Sequence, residues 1–544
     1  MSTKSTNIKQ DLSKNVGNKE VSNTMILMLT AVLAIIYFVF STFSDGFYQH
    51  DEVGNFMATK SIWYDDLLQI FGANTKSGYK LLYAIPALGG FTFLKLFNSL
   101  VAAFTVYFSY KLLAKLGSKN KLLIFFVLGI QPLWFMLSFR NYAELTIAFL
   151  MVLAILQFFN KKYIITAIIV SYIAFTRQEY HLISGLLFWV LLFKKEWLAT
   201  FFTGVFTVFQ NILGWIVTGD IFYLPHSMID YSERIKDAWP KQGFDHYFVM
   251  SNVIFGAIAL TLFVAYVGII VIKRKRPNWY LLIPVLLIFL LNCAMNAQSF
   301  SFGPGNGGNL RYLIIISPLI AILGVLAVDE ISEFKKKYLL LVFLVPLIIC
   351  VAMFQVYEHN FIKLTEVENW RPLIVTIIIS VLLILPLKAK HYLISIAIIA
   401  IMAGASSITS RKIQPEEMTV KKAAKWYANH LKLGNNLQTA STQLFNDTNR
   451  VACGHTLFFH YLEMNKNDFV KEPIMGIGIT KETADTLKKG DLVIWESHYG
   501  YRPKLSPTSQ MYDFYDKSSN FEKIQYYQSK DKRFLIAFFR KIKD

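Results

Sequence analysis

Apolar runs of about 20 residues recur along this chain, and they constrain its fold more than any other feature. The first run begins at Met25 and reads MILMLTAVLAIIYFVFSTF, which is long enough to cross the hydrocarbon core of a bilayer. A soluble protein of 544 residues would also carry more charge than the 17% found here. The sequence therefore predicts a polytopic helical membrane protein.

We predict about 13 membrane spans within residues 25–410, of which several are shorter than the usual length. Their ranges are 25–43, 90–113, 121–139, 143–159, 163–176, 180–193, 198–218, 248–272, 279–296, 311–328, 338–357, 371–387 and 391–407. Lysine and arginine clusters such as KRKRPN and FKKKY separate some of them, which is typical of cytoplasmic loops. Positive residues in cytoplasmic loops therefore explain much of the net charge of +19, and no nucleic-acid partner is expected.

Residues 1–24 are polar and are expected to form a cytoplasmic tail before an uncleaved first span. The apolar regions 121–159 and 163–193 each have lysines at both ends and a polar interruption, so each should be a hairpin. Alternation then places QHDEVGNF, RNYAE, TRQEYH and GPGNGG on the extracytoplasmic face. The amphipathic segment of about 54–72 should form a helix that lies along the membrane interface on that face.

Residues 411–544 differ in composition from the rest of the chain. Alternating runs such as DLVIWES and RFLIAFF predict strands, and EEMTVKKAAKWYANHL predicts an amphipathic helix. We expect a small soluble α/β domain, which an odd number of spans places outside the cell. His455 and His460 have no partners at metal-ligand spacing, and the three widely separated cysteines predict no disulfide framework.

Ionisable side chains gather at the predicted outer ends of the spans. Such groups are costly near apolar segments unless they pair or face water, so their common side predicts a shared polar cavity. A carboxylate there can take a proton from a hydroxyl, and an arginine can hold a phosphate through paired N–H donors. The set comprises Asp51, Glu52, Lys80, Arg140, Glu144, Arg177, Glu179, His181, His226 and Arg311, with His50 and Tyr312 as supporting residues.

Each of these residues also has a purely structural explanation. The acidic pair of the first loop suits a helix amino terminus, and the charges of RNYAE, four residues apart, suit a helical ion pair. Arg177 and Glu179 can be interfacial anchors, and His226 can cap a loop. The glycine-rich loop before Arg311 can close over a ligand or simply turn.

In their order and common side, these motifs resemble the GT-C superfamily of membrane glycosyltransferases, which use lipid-linked sugar donors. That superfamily includes protein O-mannosyltransferases, lipid A aminoarabinose transferases and the mannosyltransferases of glycolipid and N-glycan assembly. The resemblance is carried within residues 25–330 by QHDEVGNF, FLKLFNSLVAAFTVYFSYKLLAKLG, FRNYAEL, FTRQEYHLISGLLFW and NLRYLIIISPLIAI. The tail resembles the periplasmic α/β domain of many bacterial members, whereas the family's proline-rich signature is reduced here to YAIPAL.

The resemblance implies a catalytic membrane domain in a bacterial inner membrane. It implies inverting transfer of mannose or another hexose from a polyprenyl-phosphate donor to a hydroxyl of a lipid, glycan or protein. Asp51 would be the general base and Glu52 its support, and the family leaves open a divalent cation at this pair. Arg140 and Arg311 would contact the donor phosphate, and Lys80 is a further candidate for that contact.

Two other classes of function remain open from the sequence. A transporter or flippase of a lipid-linked or anionic substrate would place polar groups near the bilayer midplane, often within inverted repeats. No repeat is visible, and the nearest polar path, Asn292, Asn296 and Gln298, lies towards the outer end of its span. A receptor or assembly factor would instead use the outer domain to bind a partner.

Overall fold

The computed structural model describes most of the chain and leaves short gaps. The described residues are 22–63, 65–234, 241–297, 305–331, 336–353, 358–359, 362–363, 366–432, 451–462, 474–475, 481–500 and 512–543. Within them, helices dominate up to residue 407 and a small sheet follows near the carboxyl terminus. The predicted cytoplasmic tail lies outside the described residues, apart from its last three positions.

Thirteen helices lie between residues 22 and 234. They are α1 Asn23–Phe43, α2 Asp51–Lys60, α3 Leu67–Phe71, α4 Ser77–Leu88, α5 Gly90–Lys115, α6 Ile124–Val127, α7 Pro132–Leu137, α8 Ala143–Phe159, α9 Tyr163–Thr176, α10 His181–Phe193, α11 Trp197–Phe202, α12 Val205–Thr218 and α13 Tyr223–Arg234. Three short 3₁₀ helices join some of them, at Ser61–Trp63, Lys121–Leu123 and Gln178–Tyr180.

The second part of the membrane domain adds eight helices and one two-stranded hairpin. The helices are α14 His246–Val249, α15 Ser251–Phe255, α16 Ala257–Lys273, α17 Trp279–Asn296, α18 Ser317–Ile331, α19 Lys336–Met353, α20 Glu366–Ile384 and α21 Ala389–Ser407. The 3₁₀ helix Leu310–Ile316 runs directly into α18, and the hairpin pairs β1 Glu358–His359 with β2 Ile362–Lys363.

In the described part of the chain, four helical stretches are long and apolar enough to cross a membrane. They are α1, α5, α17 and the joined stretch Leu310–Ile331, and the bent pair α12–α13 would make a fifth. Seven shorter apolar helices lie within or overlap seven more of the predicted ranges. The membrane domain is therefore helical and rich in apolar helices, whereas the total of about 13 spans stays a prediction.

Four of the predicted ranges are interrupted. The range 198–218 divides at residues 203–204 between α11 and α12, and local residues explain the other three breaks. The range 121–139 splits into α6 and α7, because Pro132 opens α7 and has no N–H to continue an earlier helix. The range 248–272 splits at Gly256, whose φ of +72° lies in the left-handed region that favours glycine. The amphipathic segment 54–72 is also not one helix, since α2 ends at Lys60 and Asp66 caps a separate α3.

The core of the membrane domain lies around α18. In the helical stretch Leu310–Ile331, 83% of the most apolar 18 residues are buried inside the protein, compared with 33% in α1. Glycines allow close approach here: a methyl group at Gly324 would lie 2.9 Å from Leu262 Cβ. The helices of the core therefore hold the 3₁₀ helix that precedes α18 in a fixed position.

Residues 411–544, which we call the outer domain after the side of the membrane predicted for them, contain a five-stranded sheet and helices in their described part, as the tail composition predicts. Its elements are α22 Pro415–Tyr427, β3 Val451–Cys453, α23 Thr456–Tyr461, β4 Ile474–Met475, α24 Lys481–Thr486, β5 Leu492–Glu496, α25 Ser497–Gly500, α26 Tyr512–Asp516, β6 Phe521–Gln528 and β7 Leu535–Lys541. The strand order is β4-β3-β5-β7-β6, with β3 parallel to β4 and β5, and β7 antiparallel to β5 and β6.

The outer domain packs directly on the loop that follows α1. Phe47 and Val53 belong to the same apolar cluster as Val420 and Leu457 of the outer domain. The Gly46 N–H donates to the Arg411 carbonyl oxygen at 2.9 Å. The start of α2 therefore lies between the membrane helices and the outer domain.

Candidate active site

Three helix amino termini meet at the site, and each carries one of the predicted residues. Asp51 opens α2 and Glu144 lies in the first turn of α8, where negative charge suits the helix dipole. Arg311 is the second residue of the 3₁₀ helix before α18, and its N–H donates to the side chain of Asn309. The convergence of these termini brings together charges that are far apart in sequence.

A line of alternating charges, which we call the charged line, joins these elements and runs through Asp51, Arg311, Glu144, Arg177 and Glu179. Arg311 donates from Nη2 to Asp51 Oδ2 at 2.6 Å, and its Nε lies 3.3 Å from Glu144 Oε1. Arg177 donates to the same Glu144 oxygen at 2.5 Å and also pairs with Glu179. Both arginines are largely buried, so these carboxylates compensate charges that would otherwise be costly.

Asp51 is the accessible member of this line. Its side chain is 55% exposed, whereas the side chain of Arg311 is 4% exposed. Partial burial raises the pKa of Asp51, but the positive charges of Arg311 and Lys76 lower it more, to about 2. Oδ1 of Asp51 has no hydrogen-bond partner in the described part of the chain. One oxygen of an ionised carboxylate therefore remains available to a ligand.

Aromatic rings and an amide hold the Arg311 guanidinium in place. Its Cζ lies 4.5 Å from the centre of the Tyr142 ring and 5.4 Å from that of Tyr312. The Tyr312 ring also lies 4.7 Å from Cζ of Arg177. Gln49 Oε1 accepts from Arg311 Nη1 at 2.7 Å. Arg311 is thus fixed from several sides before any ligand binds.

Glu52 points away from Asp51 and forms a separate buried ion pair. Arg140 Nη1 lies 2.8 Å from Glu52 Oε2, and the two side chains are 3% and 0% exposed. Arg140 also donates to the Gly46 carbonyl oxygen and to Ser44 Oγ. Most donors of Arg140 are therefore used within the protein, and the helical pair with Glu144 does not form.

Lys80 and its neighbour Lys76 point to different parts of the structure. Lys80 donates from Nζ to the carbonyl oxygen of Gln69 at 2.7 Å, on the side of α3. Lys76, which sequence reasoning missed, donates to Asn55 Oδ1 at 2.9 Å and lines a cavity of about 330 Å³. Its only sequence signal is its place one helical turn before Lys80.

The remaining predicted histidines lie in different places. His226 pairs with Asp220 at 2.8 Å in an exposed position, and His181 contacts the carbonyl oxygen of Gln178 in its own turn. Neither has a described contact to the charged line around Arg311. His50 lies beside Asp51 but faces the outer domain, where it is 3.8 Å from Glu416.

The expectation that His455 stands alone was wrong. Its Nε2 lies 3.1 Å from Glu416 Oε1, and its ring lies 4.8 Å from that of His50. These partners are 39 residues or more away in sequence, so spacing gave no signal for them. His460 instead packs its ring against phenylalanines, including Phe47 and Phe91.

Two cavities lie near these charged residues, one lined by Arg177 and the other by Arg140. The smaller one, of about 330 Å³, is lined by Lys76, Arg177 and Tyr312, among others. The larger one, of about 800 Å³, is lined by apolar side chains of α6, α7, α16, α20 and α21. Its lining also includes Arg140, Arg371, Arg411 and Lys412, together with Tyr48 of the loop after α1.

Comparison with known proteins gives a fold but no close relative. No protein-family model matches the chain, and no curated protein matches it. ArnT from Cupriavidus metallidurans bound to undecaprenyl phosphate matches with a TM-score of 0.53 at 12% identity, over 95% of this chain and 98% of ArnT. Its apo state matches with a TM-score of 0.54 at the same identity and coverage. The chain therefore has the GT-C membrane fold along nearly its whole length, as the sequence resemblance predicted.

Proposed function

We propose that the chain is an inverting glycosyltransferase that moves a sugar from a polyprenyl-phosphate donor to an acceptor hydroxyl outside the cytoplasm. The observation that carries the proposal is the accessible Asp51 carboxylate, which the buried Arg311 holds in place. The fold adds support by analogy, because the similar ArnT was crystallised with undecaprenyl phosphate.

Asp51 is the general base of the proposed reaction. Its free Oδ1 accepts the proton of the acceptor hydroxyl as that oxygen attacks the anomeric carbon. The new glycosidic bond forms while the bond from the anomeric carbon to the phosphate oxygen breaks. The polyprenyl phosphate leaves with the electron pair, and attack from the opposite face inverts the configuration.

The larger cavity suits the lipid donor. Its apolar walls match a polyprenyl tail, and Arg371 and Arg411, which also line it, offer guanidinium groups to a phosphate. Nε of Arg411 is buried and has no hydrogen-bond partner in the described part of the chain. Arg140 and Arg311 stay predicted phosphate contacts, and Arg311 is the one that touches Asp51.

The smaller cavity suits the acceptor, because cations and amides line it. Lys76, Arg177 and Asn306 can bind hydroxyl or anionic groups of an incoming lipid, glycan or protein. Mannose or another hexose stays the proposed sugar. Lipid-linked donors that have been flipped are available outside, which agrees with a site on the extracytoplasmic face of a bacterial inner membrane.

Transfer by wild-type and variant membranes tests the proposal. Membranes are incubated with radiolabelled polyprenyl-phosphate sugars, and labelled products are separated from the donor. Asp51→Asn should lower turnover by about two to four orders of magnitude, since it removes the base. Asp220→Asn is the control, because Asp220 is an aspartate that pairs with exposed His226 away from the site. Unchanged turnover in Asp51→Asn would remove Asp51 from its role.

A transporter or flippase is the second candidate, and one observation favours it. The helices α12 and α13 meet at an angle of 87° across a short break, and broken helices are common in transporters. The two functions differ in detergent solution, where no compartments exist. A glycosyltransferase still forms labelled product there, whereas a flippase changes no covalent bond.

A further inference from the structure

Three histidines surround one carboxylate where the outer domain meets the first outer loop. His50 precedes α2, Glu416 lies in the first turn of α22, His455 precedes α23 and His498 lies in α25. Oε1 of Glu416 is 2.8 Å from His498 Nδ1, 3.1 Å from His455 Nε2 and 3.8 Å from His50 Nδ1. We call these four residues the histidine cluster.

The histidine cluster is enclosed. His455 is fully buried, and the side chains of the other three residues are 14–26% exposed. The imidazole rings are only 4.8–6.0 Å apart between centroids. A neutral imidazole has a lone pair that can bind a metal ion.

The distances fit a metal site. Zn²⁺ binds histidine nitrogen and carboxylate oxygen at about 2.0–2.2 Å, which puts the donor atoms of a tetrahedral site about 3.3 Å apart. The distances from Glu416 Oε1 to the three nitrogens lie on both sides of that value. The donor atoms of His50, Glu416 and His455 all lie within 4.8 Å of one another, whereas His498 is not part of that group and approaches it through Glu416. No other group of this kind occurs among the residues that the structure describes.

The donor set selects the class of ion. Three imidazole nitrogens and one carboxylate are typical ligands of Zn²⁺ and neighbouring transition metals. Ca²⁺ and Mg²⁺ prefer oxygen ligands and would find one carboxylate here. With His498 as the fourth ligand, reached from its contact with Glu416, four protein ligands would fill a tetrahedral site, which is the arrangement of structural rather than catalytic zinc.

We propose that His50, Glu416, His455 and His498 bind one divalent cation of the Zn²⁺ class, which fastens the outer domain to the start of α2. This site is distinct from the Asp51–Glu52 pair, whose carboxylates are held by Arg311 and Arg140. His50 is a positioning residue, because the ion fixes the backbone that carries its neighbour Asp51. Binding of the ion does not depend on the proposed function, whereas its effect on transfer rests on Asp51 as the base.

The test uses the full-length protein, purified in detergent and stripped with a chelator. Equilibrium dialysis against Zn²⁺ with elemental analysis should give one ion per chain, and Co²⁺ should give the visible spectrum of tetrahedral coordination. Glu416→Gln and His455→Ala should each weaken binding by at least about 100-fold, since even the loss of supporting partners costs up to that much. His430→Ala is the matched control, because His430 is an exposed histidine of the same domain.

Thermal unfolding keeps the test valid if a variant folds poorly. Zn²⁺ should raise the Tm of the wild type and of His430→Ala, but not that of Glu416→Gln, which keeps the shape of the side chain. Asp51→Asn should bind the ion normally even if it transfers no sugar, which separates this proposal from the function. Failure of the wild type to bind one ion, or normal binding in both Glu416→Gln and His455→Ala, would overturn it.

Discussion

Arg311 is the residue on which the candidate site depends most. Its guanidinium is 4% exposed and contacts Asp51, Glu144 and Gln49 at the same time. A buried cation with two carboxylate partners holds both of them in place, and its planar fork fixes their directions. The position of Asp51 therefore follows from Arg311 as much as from α2.

We predict that Arg311→Lys lowers transfer by about 100-fold while the protein stays folded. Lysine keeps the charge but loses the fork that contacts Asp51 and Gln49 together, and one lost donor in a catalytic site typically costs that much. Turnover with a labelled donor measures the effect. Arg274→Lys, on the exposed loop after α16, should behave like the wild type. Full activity in Arg311→Lys would argue against a role for the paired donors.

The adjacent acids Asp51 and Glu52 should respond differently to the same substitution. Glu52→Gln leaves the buried Arg140 without its charge partner, so the free energy of unfolding should fall by about 3–5 kcal/mol. Asp51→Asn affects a half-exposed group and should lower it by about 1 kcal/mol or less. Denaturant unfolding in detergent compares the two variants. Equal stabilities would mean that the Arg140–Glu52 pair contributes little.

At the scale of elements, the loop between α1 and α2 connects the two domains. A methyl group at Gly46 would lie 2.2 Å from the carbonyl oxygen of Lys412, which is backbone and has little freedom to move. Phe47 then enters the apolar cluster of the outer domain. The close approach at Gly46 therefore sets how the outer domain sits over the start of α2.

We predict that Gly46→Ala loosens the outer domain. The clash should cost about 1–3 kcal/mol, as overpacking does, and should weaken the Gly46–Arg411 hydrogen bond. Limited proteolysis should then cut faster between the end of α21 and the start of α22. Gly54→Ala is the control, because a methyl group there would lie 4.0 Å from Thr456, an ordinary contact. Equal cleavage rates in Gly46→Ala and the wild type would contradict this prediction.

At the scale of the whole molecule, the fold places the candidate site and the outer domain on one side of the membrane helices. The Lys273–Glu330 and Lys275–Glu330 ion pairs lie at the opposite ends of α16 and α18. The predicted orientation puts these lysines in the cytoplasm, since positive residues favour that side. Orientation can therefore be tested at exposed positions of the two faces.

We predict that an impermeant maleimide labels Asp220→Cys in intact cells and labels Arg274→Cys only after permeabilisation. The native cysteines are all buried, so background labelling should be low. Asp220 follows α12 on the proposed outer face, and Arg274 follows α16 on the other. Labelling of Arg274→Cys in intact cells would reverse the orientation and place Asp51 in the cytoplasm.

Some parts of the fold could be read from the sequence to within a residue or two. The predicted ranges 163–176 and 279–296 coincide with α9 and α17, because uninterrupted apolar residues make a helix from local interactions. The breaks at Pro132 and Gly256 were missed, although both residues have a plain effect on the backbone. Apolar residues continue on both sides of Pro132 and Gly256, so apolar composition alone predicts one unbroken span at each place.

The sequence by itself determined the apolar helices, the α/β tail and the residue types available for chemistry, because periodicity and composition act over short stretches of chain. Only the tertiary structure decided which charges meet: Asp51 pairs with Arg311 across 260 positions, Lys76 lines the cavity beside Arg177, and His455 lies beside Glu416, His50 and His498. Such pairings depend on how distant helices pack, and packing sums many weak contacts that no local pattern records.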